Sequence, residues 1–387
     1  MPGKRRVRVL QIIDVLGPGG AEMLLLTLAS SIDASRFDLH VCGLRPDYPS
    51  DLAPEIRALG VPVVAMNQRN AYDVPTLLSL VRYIRKHKID IIHTHLLASD
   101  IMGRVAGFIT RTPVVSTVHN SRQDFDHEPA RRRWMERWSA RLWCSRLIVV
   151  SPALREEIAG WYGLPASRFV AIPNGVDTTR FRPMPELDST ALKRDLLGDP
   201  AVSGEAPLVL NVARLMPQKG LNYLVEAARL VIDKRPEVRF AVVGQGDLKD
   251  ELDAQVADLG LTGKFVLAGV RSDVPELMAA SDVFVLSSLW EGLPISLLEA
   301  MSSACPVVST EVGGVGGVVQ DGRTGLLVPP EDPQALAHAI LSCLDDPQKA
   351  RQRATAAREW AHAHYSMETW VRKLEQLYMR ELSRHRA

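Results

Sequence analysis

The sequence predicts an α/β protein of two doubly wound domains, each a parallel sheet covered by helices on both faces. Short β-branched runs alternate with longer helical stretches along nearly the whole chain, and the runs are apolar throughout. The series also stops and restarts around a stretch holding Pro173, Pro183, Pro185, Gly198, Pro200 and Gly204. A chain of 387 residues exceeds one ordinary core, and 46% apolar composition is that of a globular protein. The first series predicts strands at 7–13, 39–44, 61–64, 89–93, 114–118, 147–150 and 170–172, with helices at 21–30, 76–87 and 99–109 between them. The second predicts strands at 208–212, 239–243, 265–267, 283–286, 307–309 and 326–328, with helices at 221–234, 248–259 and 333–344. Helical periodicity from 348 to 386, broken near 364–366, closes the chain. The expected domains are 1–175 and 176–365, with a last helix, 366–387, crossing back to the first. Such sheets bind ligands beyond their strands' carboxyl ends, so the expected site is a cleft between the domains.

No apolar run reaches the roughly 18 residues of a membrane span. The basic start leads into an apolar run at 7–13 that is short for a signal sequence and reads as a first strand, so a cytoplasmic location is expected. Cys42, Cys144, Cys305 and Cys343 lack metal or redox spacing and read as reduced core thiols. Charge is divided: residues 1–182 hold 25 Lys and Arg against 17 Asp and Glu, and the remainder is acidic. Halves of opposite sign meet different partners.

Three segments carry chemistry. The first strand leads into Gly17-Pro18-Gly19-Gly20-Ala21-Glu22 and a helix, which places bare N–H groups and a positive dipole end where a phosphate docks. In the second half Arg214 ends a strand and Lys219 opens the next helix. Two cations there clamp a diphosphate, Arg directionally and Lys as a compact charge. The run from Ser287 to Met301 follows a strand and enters a helix. Glu291 falls in its turn, Gly292 and Leu293 offer N–H groups, and Glu299 lies deeper among apolar neighbours, where a carboxylate needs hydrogen-bond donors such as ribose hydroxyls. His93-Thr94-His95 and His119-Asn120 follow strands of the first domain. Their spacing specifies no metal site, and no metal or cofactor is expected. Asp124-Phe125-Asp126 has the form of a divalent-ion motif but lies away from the diphosphate clamp and reads as a decoy.

Together these stretches resemble family 4 of the glycosyltransferases, retaining enzymes of GT-B fold. The resemblance rests on Gly19–Glu22, His93–His95, Thr117–Asn120, Val150-Ser151, Ile172–Asp177, Asn211–Leu215, Lys219-Gly220, Val243–Gly246 and the Glu291–Glu299 pair, in family order along nearly the whole chain. It implies two Rossmann-like domains facing a central cleft. It also implies that Arg214 and Lys219 bind the donor diphosphate, that Glu291 with Gly292 and Leu293 holds the sugar, and that Glu299 takes the ribose. Gly19 and Gly20 lie by the phosphates, His119 by the reacting carbon, and Val270 and Arg271 by the base. The sequence departs from the family in having Gly317 where Glu is usual and Ala304 where Gly is usual. The implied function is metal-independent, retaining transfer from a UDP-linked sugar to a saccharide or polyprenyl-linked acceptor in envelope or exopolysaccharide synthesis, with no nucleic-acid partner. A sugar-nucleotide epimerase or hydrolase of the same fold, or a non-catalytic nucleotide-sugar-binding subunit, are the alternatives. Finally, Arg131, Arg132, Arg133, Trp134, Trp138 and the residues to Trp143 read as a helix with an apolar stripe at Trp134, Trp138 and Leu142, flanked by five arginines. That pattern marks either an interfacial helix on an anionic membrane or a helix packing its tryptophans on the sheet.

Overall fold

The computed structural model describes residues 5–17, 19–45, 52–68, 73–119, 121–126 and 128–386. The chain divides into two compact units, Met1–Gly175 with Met367–Ala387, and Val176–Ser366.

The first unit holds a parallel sheet of β1 (Val7–Ile13), β2 (Phe37–Gly43), β3 (Val63–Ala65), β4 (Ile91–His95), β5 (Val114–Val118), β6 (Arg146–Val149) and β7 (Phe169–Ala171). Its order is β3-β2-β1-β4-β5-β6-β7, so the winding reverses between β1 and β4. Helix Leu97–Thr110 crosses this reversal at close range. A side chain at Gly103 would strike Thr94, and one at Gly107 would strike Val114, so the two glycines let the helix sit down on the sheet. Leu10, Ile12, Ile92, Met102 and Val114 are buried there beside Leu80 and Ile84 of helix Val74–His87. The last helix, Met367–Arg386, buries Trp370, Val371, Leu374, Leu377 and Tyr378 at helical spacing.

The second unit repeats the plan with β8 (Leu208–Val212), β9 (Arg239–Val243), β10 (Phe265–Leu267), β11 (Val283–Leu286), β12 (Val307–Thr310) and β13 (Leu326–Val328). The order β10-β9-β8-β11-β12-β13 reverses between β8 and β11. Helix Leu221–Lys234 buries Leu221, Leu224, Val225, Ala228, Val231 and Ile232 on this sheet. Each large aliphatic side chain so buried contributes about 1.5–3 kcal/mol.

Two expectations change. The proline-rich stretch read as a connection contains helix Ser189–Leu197, started by the Asp188 carboxylate accepting from Ala191 N at 3.0 Å. Its Lys193 is buried and pairs with Asp282 at 3.0 Å, tying the stretch into the second unit. And β4 runs two residues further than the apolar run, because His93, Thr94 and His95 keep their register with Gln11, Ile12 and Ile13. The histidines therefore belong to the strand, and their buried ring nitrogens are satisfied by side chains of other elements, Thr117 and Tyr378 for His93 and Gln11 and His119 for His95.

Candidate active site

In the second unit two loops meet at the reversal. Leu289 N donates to Gln218 O at 2.8 Å, Gln218 Nε2 to Trp290 O at 3.0 Å, and Ser287 Oγ to Lys219 O at 2.9 Å. Gly220 has φ +56°, and a Cβ there would collide with the Ser287 carbonyl. Across this seam Lys219 Nζ donates to Glu291 Oε1 at 2.5 Å, and Ser288 Oγ donates to the same oxygen at 2.7 Å. Both ion-pair partners are largely shielded, at 14% and 6% side-chain exposure. Arg214 stands two residues beyond β8, exposed, with no side-chain partner among the described residues.

Other loops brace this pair. Gly244 and Gly246 bring the turn after β9 onto the backbone of Ala213 and Leu215, where Leu215 N donates to Gln245 O at 3.0 Å. Gly313 abuts the Glu291 carbonyl, and Gly314 N donates to Gly292 O at 2.9 Å. Leu293 is buried, and Pro294 precedes helix Ile295–Ser302. On that helix Glu299 is half-buried. Burial pushes its carboxyl up to about 7, against the pull of the Arg180 charge. In the loop after β10 the Arg271 guanidinium is committed to Asp195 at 2.7 Å and Asp273 at 2.6 Å, while Val270 beside it is exposed.

In the first unit the ends of β1, β4 and β5 carry a closed chain of hydrogen bonds. Thr117 Oγ1 and His93 Nε2 are 2.7 Å apart, as are His93 Nδ1 and the Tyr378 hydroxyl. Gln11 Nε2 donates to that hydroxyl at 3.0 Å, and Gln11 Oε1 lies 2.8 Å from His95 Nε2. His95 Nδ1 and His119 Nε2 are 2.9 Å apart. Burial holds all three imidazoles below their usual range, His93 at about 3 and His119 at about 4, so they are neutral at physiological pH. The chain leaves β4 through Leu96, whose φ of +71° is strained for a side-chain-bearing residue. Helix Gly20–Ser31 starts one residue after Gly19, and a side chain on Gly19 would meet the Glu22 carboxylate. Pro18 and Asn120 of the sequence motifs lie outside the described residues.

Helix Ala130–Trp143 is turned with its polar face inward. Glu136 is fully buried on Arg104 at 2.6 Å and accepts from Tyr162 at 2.7 Å, while Arg104 also meets Asp100 at 3.3 Å. Trp134, Trp138 and Leu142 are consequently left 61%, 43% and 52% exposed. Arg133, Arg137 and Arg141 line a groove of about 520 Å³ with Trp134, Trp138 and Trp161. Arg132 pairs with Glu128 at 3.0 Å, and Arg131 is exposed on the same helix. Asp124 caps its own helix by accepting from Ser121 N at 2.9 Å, and Asp126 faces Arg133 at 3.6 Å.

The sequence brought forward Arg214, Lys219, Glu291 and His119. The first three lie in the loops after β8 and β11, the strands that flank the second unit's reversal, and His119 follows β5, one strand out from the first unit's reversal. It missed Gln11, Tyr378, Ser288 and Gln218. Gln11 had a signal, as the one amide inside the apolar run of β1. Tyr378 had none, since its partners are hundreds of residues away.

Models of known families match both units. One described as Glycosyltransferase Family 4 matches residues 18–180, and one described as Glycosyl transferases group 1 matches residues 194–360. The chain belongs to the family 4-type glycosyltransferases, with a GT-B fold. It is 31% identical over 358 residues, 89% of each chain, to the Escherichia coli UDP-Gal:alpha-D-GlcNAc-diphosphoundecaprenol alpha-1,3-galactosyltransferase. It is 29% identical to the GDP-mannose-dependent alpha-(1-6)-phosphatidylinositol monomannoside mannosyltransferase of Mycolicibacterium smegmatis, over 78% of this chain and 80% of that one. Among solved structures it is similar to Anabaena HepE in complex with UDP-glucose, with a TM-score of 0.85 and 26% identity over 96% of this chain and 99% of that one.

Proposed function

We propose that this glycosyltransferase moves a hexose from a UDP-linked donor to a saccharide or polyprenyl-linked acceptor, with retention at the anomeric carbon and without a metal ion or other cofactor, in envelope or exopolysaccharide synthesis. The observation that carries this reading is the Lys219–Glu291 pair, made between the loops that follow β8 and β11, with Arg214 two residues beyond β8. Arg214 and Lys219 take the diphosphate. Glu291, with the amides of Gly292 and Leu293, takes sugar hydroxyls, and Glu299 accepts from the ribose. The loop at Val270 and Arg271 meets the base. With the Arg271 guanidinium already paired, exposed Val270 supplies the apolar contact. Gly19 and Gly20 serve the phosphates, and His119 serves the reacting sugar. Before donor arrives Lys219 and Glu291 neutralise each other, and the donor's phosphate and hydroxyls then replace each partner for the other. Retention follows from attack on the face the diphosphate leaves, with the leaving phosphate taking the acceptor's proton. The protein's part is to stabilise growing phosphate charge, and losing one such group costs about 10²–10³ in rate. The UDP-Gal-using relative and the UDP-glucose complex support a UDP donor. The test is a panel of UDP and GDP sugars with and without a lipid-diphosphate saccharide, in chelator. Acceptor-dependent release of UDP is expected. Acceptor-independent hydrolysis, or turnover only with added magnesium or manganese, contradicts the reading.

On the acceptor side, the inverted helix Ala130–Trp143 supports peripheral contact with an anionic membrane at its inner face. Arg131, Arg132, Arg133, Trp134 and Trp138 would meet headgroups, while no helix among the described residues is long and apolar enough to cross. Each cation near such a surface contributes about 1 kcal/mol. The protein is expected to float with anionic vesicles at low salt and to lose binding when Arg131, Arg132 and Arg133 become Ser. Failure to float leaves a soluble acceptor.

A further inference from the structure

The hydrogen-bond chain at the ends of β1, β4 and β5 has a direction, and that direction fixes the chemistry His119 offers. We infer that Gln11 and Tyr378 are positioning residues that hold His119 as its Nε2–H tautomer and keep its Nδ1 a hydrogen-bond acceptor. This rests on the proposal that His119 serves sugar transfer.

The direction is set at the Gln11 amide. Gln11 Nε2 donates to the Tyr378 hydroxyl, so Gln11 Oε1 is the atom facing His95 Nε2. An amide oxygen only accepts, so His95 carries its proton on Nε2. Burial holds His95 well below its usual range, so it has one ring proton and its Nδ1 is bare. The bare Nδ1 is 2.9 Å from His119 Nε2, which therefore donates. His119 is also neutral, so its own Nδ1 carries a lone pair. On the other side burial raises the Tyr378 hydroxyl's pKa and keeps it protonated. Having accepted from Gln11, it donates to His93 Nδ1, and His93 Nε2–H donates to Thr117. Both ring nitrogens of His93 and of His95 are thereby paired.

Turning the Gln11 amide over would reverse every bond and leave His119 with Nδ1–H, a donor instead of an acceptor. The two polarities therefore compete, and the partners of the amide decide between them. Tyr378→Phe leaves Gln11 Nε2 without an acceptor in the present polarity. In the reversed one, with His93 kept in its Nε2–H form toward Thr117, only acceptors are left unpaired, the Gln11 oxygen and His93 Nδ1, and buried orphan N–H groups are the rarer and costlier kind. Gln11→Met orphans the His95 Nε2–H in the same way. Both variants push His119 toward its Nδ1–H form, though one lies on a strand and the other on the last helix. Tyr378→Phe keeps the ring that packs against Phe37 and His93, so the fold survives it.

The experiment is ¹⁵N-histidine NMR of the whole chain, read beside kcat and donor KM. Wild type is expected to show His119 bare at Nδ1 and protonated at Nε2. Both variants are expected to shift it toward the opposite tautomer and to lower kcat by about 10- to 100-fold, with KM for the donor little changed. A purely structural role for Gln11 and Tyr378 would lower the melting temperature without moving the tautomer. Wild-type His119 protonated at Nδ1, or variants whose His119 tautomer is unmoved, overturn the inference. A reversed tautomer with unchanged kcat upholds it and overturns instead the role of His119 in transfer.

Discussion

Replacing Ala304 by glycine tests whether the end of the helix that carries Glu299 stores backbone strain. Helix Ile295–Ser302, which carries Glu299, ends in a paired return: Ala304 N donates to Met301 O at 3.1 Å, and Cys305 N donates to Ala300 O at 3.0 Å. This is the closing motif in which the residue after the cap takes a left-handed conformation, usually as glycine. Ala304 takes it with φ +54°. A side chain there costs about 1–2 kcal/mol, from Cβ against the following carbonyl. Glycine removes that cost but returns about 0.4–1 kcal/mol of unfolded-chain entropy. The net expectation for Ala304→Gly is a gain of about 0.5–1 kcal/mol. For a unit of this size that is a rise of roughly 1–4 °C in the melting temperature. Differential scanning calorimetry reads it, with Ala304→Val as the control. The β-branched side chain is expected to lower the same transition. Activity is expected to be unchanged. A Gly variant that melts no higher than wild type would refute the argument that Ala304 stores strain.

Two further outcomes follow from buried charge. Burial pushes the Glu299 carboxyl up to about 7, and the proposed ribose contact needs the carboxylate, so UDP affinity is expected to fall as pH drops from 8 to 6. Glu299→Gln should bind UDP about tenfold or more weakly at pH 8 and lose that component of the pH dependence. Calorimetry with equal affinities across the series rejects the ribose role. Arg104→Met strands the buried Glu136 carboxylate and is expected to destabilise the first unit by about 3–5 kcal/mol. Arg104→Met with Glu136→Leu should recover part of the loss in a denaturant titration, and no recovery would contradict the account of that cluster.

The strands were legible because a sheet covered on both faces demands continuous apolar runs, which match the second unit's strands to within a residue and those at β2, β3 and β4 to within two. Where polar residues enter a strand the signal fails. The strand expected at 89–93 stopped short of Thr94 and His95, because the partners of these polar side chains on β1, on and after β5 and on the last helix are invisible along the chain. Helix Ser189–Leu197 was hidden by its flanking prolines and glycines, although Asp188 supplied a cap signal. Glycines were legible as a class but not in their reasons. Gly220, Gly244, Gly246 and Gly313 are each required by a neighbouring backbone, Gly220 where the loops after β8 and β11 meet and the others where further loops close on these two. The helix Ala130–Trp143 was legible as amphipathic, yet which face turns outward was decided by one buried pair, Arg104 with Glu136.

The central claim is that Arg214 and Lys219, at the end of β8, hold the donor's diphosphate. Its most direct test is isothermal titration of UDP into wild type, Arg214→Ala, Lys219→Ala and the double variant, with melting curves to show that each is folded. Charge-assisted bonds of about 1.5–3 kcal/mol predict that each single variant binds UDP roughly 10- to 100-fold more weakly, and the double variant more weakly still. Folded variants that bind UDP as tightly as wild type would contradict the account.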